Sequence, residues 1–277
     1  MTHASTAALA GFLSSLREAT TEPLDVVIAH LGPPDTSDGV AVIGPGVRVI
    51  EAGDVGYGRA ANLGVRDTTA EFVVISDPDV TWEPGSLDRL LAASDRWPQG
   101  AAFGPLIRTR QGTVYPSARA VPSLKNGIGH ALWGRWWPGN PWTSAYRQGR
   151  GQPAERTTGW LADTCLLLRR DAFDTVGGFE SENLVYLEDL DLGERFTKAG
   201  WHNVYVPSAA VVATGRQNGA ADRARLAADR HRSVWTYVSR RYAGWRWWPV
   251  RVVLRGGLTV RSAVAKRRRP RRASEAN

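Results

Sequence analysis

A chain of 277 residues, 43% of them hydrophobic, suits one large α/β domain with additions or two small domains. The lone cysteine, Cys165, excludes an internal disulfide, and no run of 18 apolar residues offers a membrane-spanning helix. The net charge of +8 is uneven: residues 232–277 carry 13 Arg or Lys and one acid, leaving the preceding residues about four charges negative. A basic end on a mildly acidic body points to a polyanionic surface, either nucleic acid or anionic lipid. The N-terminus lacks a basic region followed by an apolar core and a cleavage site, so a secretory signal is not expected and the protein is placed in the cytoplasm.

Apolar positions Leu9, Phe12, Leu13 and Leu16 recur at helical spacing and predict a helix over 5–20. A short strand over 24–29 follows, then a Pro-rich loop over 30–39, then a strand over 47–50. A Gly-rich turn over 53–58 leads to a helix over 59–66, a strand over 72–76 and a helix over 85–94. This alternation is the pattern of a parallel, doubly wound sheet. Residues 108–158, rich in Gly, Pro, Trp and Arg, read as short elements and mobile segments lining a site. Beyond them come a strand over 164–169 that buries Cys165 as a core thiol, a short helix over 171–176 and the turn Gly177-Gly178-Phe179. A helix over 188–199, a strand over 203–206, and helices over 222–242 and 250–265 complete the expected elements.

Two acidic clusters about 110 residues apart carry the chemistry: Asp77-Pro78-Asp79 after the apolar run 72–76, and Glu188-Asp189-Leu190-Asp191 at the start of a helix. Strand ends and helix starts are where open α/β sheets bind ligands. Two close carboxylates can hold a hard divalent metal, and a third can serve as a general base. Each feature also has a plainer reading. Asp-Pro-Asp can be a turn leading into the next helix, and Glu188, Asp189 and Asp191 can satisfy first-turn amides. Arg59 can be surface charge, and Trp160 can be core. His130, His202 and His231 have no ligand spacing and are read as structural.

Taken in order, several segments resemble inverting family 2 glycosyltransferases with the GT-A fold. They are Val55-Gly56-Tyr57-Gly58-Arg59-Ala60-Ala61-Asn62, Asp77-Pro78-Asp79-Val80, Gly159-Trp160-Leu161, Leu168-Arg169-Arg170, Val176-Gly177-Gly178-Phe179 and Tyr186-Leu187-Glu188-Asp189-Leu190-Asp191. Val114-Tyr115-Pro116-Ser117-Ala118-Arg119 and Asn140-Pro141-Trp142-Thr143 look more narrowly like actinobacterial rhamnosyltransferases of cell-wall linker synthesis. In that group the donor is dTDP-L-rhamnose and the acceptor is N-acetylglucosaminyl-diphospho-decaprenol. The resemblance implies Mg²⁺ or Mn²⁺ on Asp79, Asp77 near the ribose or metal, and Arg59 and Asn62 near the nucleotide. It also implies Asp189 as the base, assisted by Glu188, and Trp160 and Asp191 at the acceptor.

Residues 1–215 are then a GT-A domain, and 216–277 a helical extension with a basic tail. Trp235, Tyr237, Tyr242, Trp245, Trp247 and Trp248 interleave with Arg240, Arg241, Arg246 and Arg251. That mixture suits an anionic membrane surface, placing the protein peripherally on the inner face of the plasma membrane. Nucleic acid would account for the charge but not for the Trp density, and no nucleic-acid motif is present.

Departures from the family pattern are specific. The strand that usually comes first is expected to be missing, because Met1 stands at the following helix. Either it is encoded upstream or the nucleotide pocket is incomplete. His30-Leu31-Gly32-Pro33 lacks the usual base-reading carboxylate, for which Asp35 or Asp38 could substitute. Ala213-Thr214 stands where a metal-binding His is common, and Asp163 where a small residue is common. These departures support an alternative function, a catalytically impaired paralogue that binds lipid-linked sugar or a partner.

Overall fold

The computed structural model describes residues 6–31, 46–53, 55–121, 153–180, 187–214 and Thr236. The chain divides into two compact units, Met1–Ser181 with Glu188–Arg216, and Glu182–Leu187 with Gln217–Asn277. All that follows concerns the first. The expected helices over 222–242 and 250–265, the aromatic and basic tail, Asp35, Asp38, His130, His231 and the segment 122–152 lie outside the described residues.

Helix α1 (Thr6–Glu18) forms where the helical spacing predicts it. Leu9, Leu13 and Leu16 are buried along one stripe. Its end is pinned from outside: the amides of Trp82, Gly85 and Leu87 bond Ser15 Oγ, the Glu18 carbonyl and the Ala19 carbonyl. Strands β1 (Val26–His30) and β2 (Val47–Glu51) pair in parallel as a two-stranded sheet. Helix α2 (Tyr57–Arg66) follows a turn in which Gly53 and Gly56 hold φ of 64° and 81°.

The main sheet has β3 (Phe72–Ser76), β10 (Cys165–Arg169), β5 (Gly100–Thr109), β11 (His202–Ala213) and β4 (Val80–Trp82) in that order. Short strands β6 (Val114–Tyr115) and β8 (Arg156–Thr158) pair with β5 and β11. Strands β7 (Ala118–Arg119) and β9 (Trp160–Leu161) form a small antiparallel ribbon. Helices α3 (Ser86–Arg96), α4 (Arg170–Thr175) and α5 (Glu188–Lys198) complete the unit.

The sheet is mixed, which corrects the parallel expectation. β5 and β11 are parallel, but β10 runs antiparallel to both β3 and β5, and β4 antiparallel to β11. A parallel pair needs a crossover, usually helical. β3 and β4 are separated only by the Asp77-Pro78-Asp79 turn. β10 re-enters after the long 110–164 excursion, antiparallel to both of its neighbours. The central strands are dry on both faces: Phe103, Leu168 and Val204 are fully buried, as is Phe196 of α5 packed with them, and so is Cys165, as expected of a core thiol.

Between β1 and β3, which do not pair with each other, lies a cavity of about 670 Å³. Phe12 and Leu13 of α1, Val65 of α2, Ile28 of β1 and Val73 and Ile75 of β3 line it. The lining is mostly apolar, with Glu22, Asp25 and Asp95 among it.

Candidate active site

The two acidic clusters reach one place from opposite ends of the unit. Asp77 ends β3, and its amide donates to the Thr164 carbonyl at 3.0 Å just before β10. Pro78 has no amide to offer, so the turn is held by the groups around it. The Asp79 carbonyl accepts from the amide of Thr214 at 3.0 Å and from its hydroxyl at 2.9 Å. Where the family pattern offers a His near the end of β11, this chain uses Ala213 to pair with Val80 and Thr214 to clasp the acidic turn.

Glu188, Asp189 and Asp191 form the first turn of α5. Glu188 is buried, and Asp189 Oδ1 accepts from the amide of Leu190 at 2.8 Å. Burial pushes the Asp189 carboxyl from its ordinary 3.8 to about 7, against the lowering effect of the Leu190 amide, with Glu188 adding to the rise. Asp163, between β9 and β10, is held well above the usual carboxylate range by burial and then by Asp189, Asp77 and Glu188. The Tyr57 hydroxyl donates to the Asp163 carbonyl at 2.6 Å, and burial followed by Asp163, Asp77 and Asp189 raises its own pKa. Asp77, Asp163, Glu188 and Asp189 therefore share one electrostatic neighbourhood, although they come from three separate parts of the chain. A carboxyl poised near neutrality is suited to accept a proton.

A second set of residues frames this neighbourhood. Asn62 donates to the Phe179 carbonyl at 2.8 Å and accepts from the Phe179 amide at 2.9 Å. Its side chain is thus engaged in holding the turn before α5. Gly178, at φ 73°, has no room for a side chain, because a Cβ would stand 2.6 Å from Asn62 Oδ1. Gly58 of α2 is similarly required, since its Cβ would meet Phe179 Cβ at 2.8 Å. Asp191 pairs with Arg195 at 2.6 Å, and Arg195 donates to the Val176 carbonyl at 2.7 Å. Asn62 of α2 thus grips the Gly177-Gly178-Phe179 turn directly, while Asp191 of α5 fixes the Arg195 that holds the residue just before it. Arg59 is exposed in the first turn of α2. Trp160 is buried, donates from Nε1 to the Ala120 carbonyl at 3.1 Å and packs on Gly193 of α5. His30 is buried at the end of β1, and its carbonyl accepts from Ala52 at 2.9 Å.

Among the described residues no group of three or more His, Cys, Asp or Glu is gathered to hold a metal. The partly buried Asp77 and Asp79 offer hard oxygens only. Such a sparse set fits Mg²⁺ or Mn²⁺, which draw other ligands from phosphate and water.

The family model for glycosyl transferase family 2 matches residues 2–177. The chain belongs to glycosyl transferase family 2. This glycosyltransferase is 46% identical over 274 residues to an N-acetylglucosaminyl-diphospho-decaprenol L-rhamnosyltransferase of Mycobacterium tuberculosis, known in strains CDC 1551 / Oshkosh and ATCC 25618 / H37Rv. The match covers 94% of this chain and 89% of the relative. In fold, the glycosyltransferase is similar to the mannosyltransferase PcManGT of Pyrobaculum calidifontis in complex with GDP-Man and Mn²⁺ (TM-score 0.54, 18% identity, 85% of this chain and 61% of that one). It is also similar to GalNAc-T7 with UDP, GalNAc and Mn²⁺ (TM-score 0.52, 10% identity, 76% of this chain and 42% of that one). The glycosyltransferase has the GT-A fold that the resemblance implied.

Three contributors escaped sequence reasoning. Thr164 and Thr214 hold the acidic turn at its main chain, which leaves no signature in side-chain pattern. Tyr57 lay inside a quoted motif, but its tie to Asp163, 106 residues away, required the fold.

Proposed function

We propose that this glycosyltransferase transfers L-rhamnose from dTDP-L-rhamnose to a polyprenyl-diphospho-N-acetylglucosamine, inverting the anomeric centre. The observation that carries the mechanism is the Asp189 carboxyl, placed at the start of α5 beside Asp163, with its pKa raised by burial to about 7. The relative of like length supports the choice of donor and acceptor.

The acceptor hydroxyl attacks the anomeric carbon, and Asp189 takes its proton. The bond from that carbon to the donor phosphate breaks, and the nucleoside diphosphate leaves with the electron pair. Direct displacement with one base inverts the centre. Asp79, with Asp77 beside it, would hold Mg²⁺ or Mn²⁺, and the ion when bound neutralises charge on the departing diphosphate. Glu188 assists by keeping the Asp189 proton affinity high. Asn62 and Asp191 position the turn that presents α5, and Arg59 is exposed where donor phosphate can reach it. Trp160 forms the floor of the acceptor side.

Residues 1–215 serve as the GT-A domain. Residues 216–277 attach the enzyme peripherally to the inner face of the plasma membrane, where a prenyl-linked acceptor resides. Among the described residues no helix is long and apolar enough to cross a membrane. A binding-only role draws on one observation, Ala213-Thr214 in place of a metal-binding His. One assay separates the two readings: dTDP-rhamnose, prenyl-diphospho-GlcNAc and Mg²⁺ or Mn²⁺ with wild type. Rhamnosylated lipid product is expected. Binding of both substrates without product would leave only the second reading.

A further inference from the structure

Arg119 is the cation that the mechanism above leaves unused. The β7–β9 ribbon sets it directly opposite Trp160. Its guanidinium carbon stands 4.8 Å from the Trp160 ring centroid and 5.3 Å from that of Tyr115. Nε donates to the Pro116 carbonyl at 2.7 Å, and Nη2 donates to the Tyr115 hydroxyl at 2.7 Å. The ring beneath it is fixed in turn by the Ala120 carbonyl and by Gly193 of α5. A long side chain that ordinarily samples many rotamers is here locked in one place.

Two bonds use two of the five guanidinium N–H groups. None of the ion pairs among the described residues involves Arg119. A guanidinium held between two rings, with donors to spare and no carboxylate partner there, is arranged for an anionic ligand. A ligand here lies on the side of the base: Trp160, opposite Arg119, packs on Gly193 of α5, whose first turn carries Asp189, and the charge of Arg119 lowers the proton affinity of Asp189. Arg119 nevertheless makes no ion pair with Asp189, so it stands near the reacting hydroxyl rather than on it. Tyr115 and Val114 beside it are the large apolar side chains most open to solvent in this region, 38% and 52% exposed.

We propose that Arg119 binds the diphosphate of the lipid-linked acceptor, with Tyr115 and Val114 meeting the first units of the prenyl chain. An acceptor sugar has its reacting hydroxyl on one side and its diphosphate on the other. A cation that holds the diphosphate on the α5 side of the site therefore helps to set the hydroxyl in place. Asp77 and Asp79, which face the donor, come from the β3–β4 turn, whereas Arg119 and Trp160 come from a separate ribbon. The assignment rests on the acceptor reading above and adds the side chain that recognises its charge.

The test uses the full chain and two variants, Arg119→Met, which keeps bulk without charge, and Arg119→Lys, which restores charge without the fork. Calorimetric titration with farnesyl diphosphate and, separately, with dTDP reads the two subsites without turnover. Arg119→Met is expected to weaken farnesyl diphosphate binding by roughly tenfold to a hundredfold, the worth of a charge-assisted hydrogen bond. Binding of dTDP should stay within about twofold, and Arg119→Lys should recover part of the loss. In transfer assays the KM for prenyl-diphospho-GlcNAc should rise in Arg119→Met, while the KM for dTDP-rhamnose holds. Unchanged farnesyl diphosphate binding in Arg119→Met, no binding by wild type, or a loss confined to dTDP would overturn the proposal. If wild type binds farnesyl diphosphate through Arg119 yet transfers no rhamnose, the subsite stands and the rhamnosyl reading falls.

Discussion

Replacing Asp189 by asparagine separates the chemical duty of this side chain from what it costs the fold. The amide keeps the shape and can still accept from the Leu190 amide, but it can neither ionise nor take a proton. Burial raises the Asp189 carboxyl from 3.8 to about 7. At about 1.4 kcal/mol per tenfold change in proton affinity, that displacement corresponds to at most on the order of 4 kcal/mol, an upper limit because the group keeps some contact with water. The folded pKa lies above the unfolded one, so the native state retains a proton that the unfolded chain releases. Wild-type stability from this group is therefore full below about pH 4, falls as pH rises towards 7, and is level above that. Asp189→Asn lacks this loss. Its stability advantage should be small near pH 4, grow through neutrality and plateau, reaching as much as about 10 °C in thermal midpoint for a domain of this size. Transfer should drop by about 10²–10⁴, the usual worth of a general base. In wild type, kcat/KM should rise with pH along a limb centred near 7. Thermal melts of both proteins from pH 5 to 8.5, with rates over the same range, check the whole chain of reasoning. A stability gain independent of pH, or transfer at the wild-type rate, would refute it.

Other expectations follow from the same geometry. Asp79→Asn should weaken activation by Mg²⁺ or Mn²⁺ at least tenfold in a metal titration of transfer, while main-chain bonding to Thr214 preserves the melting point. Asn62→Ala leaves the Phe179 amide and carbonyl without their partner, which should cost about 1–3 kcal/mol in chemical denaturation. The full chain should float with anionic liposomes and not with neutral ones, and removing residues 232–277, which hold 13 Arg or Lys, should abolish that flotation.

The legible parts of this protein are those encoded by local pattern. Leu9, Leu13 and Leu16 announce α1 by their spacing, and the apolar run 72–76 announces β3, because burial of one stripe or of both faces leaves its mark on neighbouring residues. The order of the acidic motifs indicated the family and the GT-A fold. Direction of pairing was less legible: nothing between residues 110 and 164 marks β10 as antiparallel, since that depends on how a long excursion returns. Asp191 and Arg195, four residues apart on one helix, form a local pair that spacing alone could offer. The hold of Asn62 on the main chain of Phe179, and of Arg195 on the Val176 carbonyl, becomes visible only when the helices and the turn are assembled.

The order of motifs, the two acidic clusters, the buried Cys165 and the charge of the tail were determined by the sequence itself, since they rest on spacing and composition. The tertiary structure decided which carboxylates meet and what they become. Asp77, Asp163, Glu188 and Asp189 acquire their character from one another and from the low-dielectric space they share, and proton affinity there depends on distance and solvent rather than on residue type. It also decided the place of Arg119 over Trp160, on the ribbon that packs against α5. Electrostatic energy is set by separation in space, which a chain of residues specifies only once it has folded.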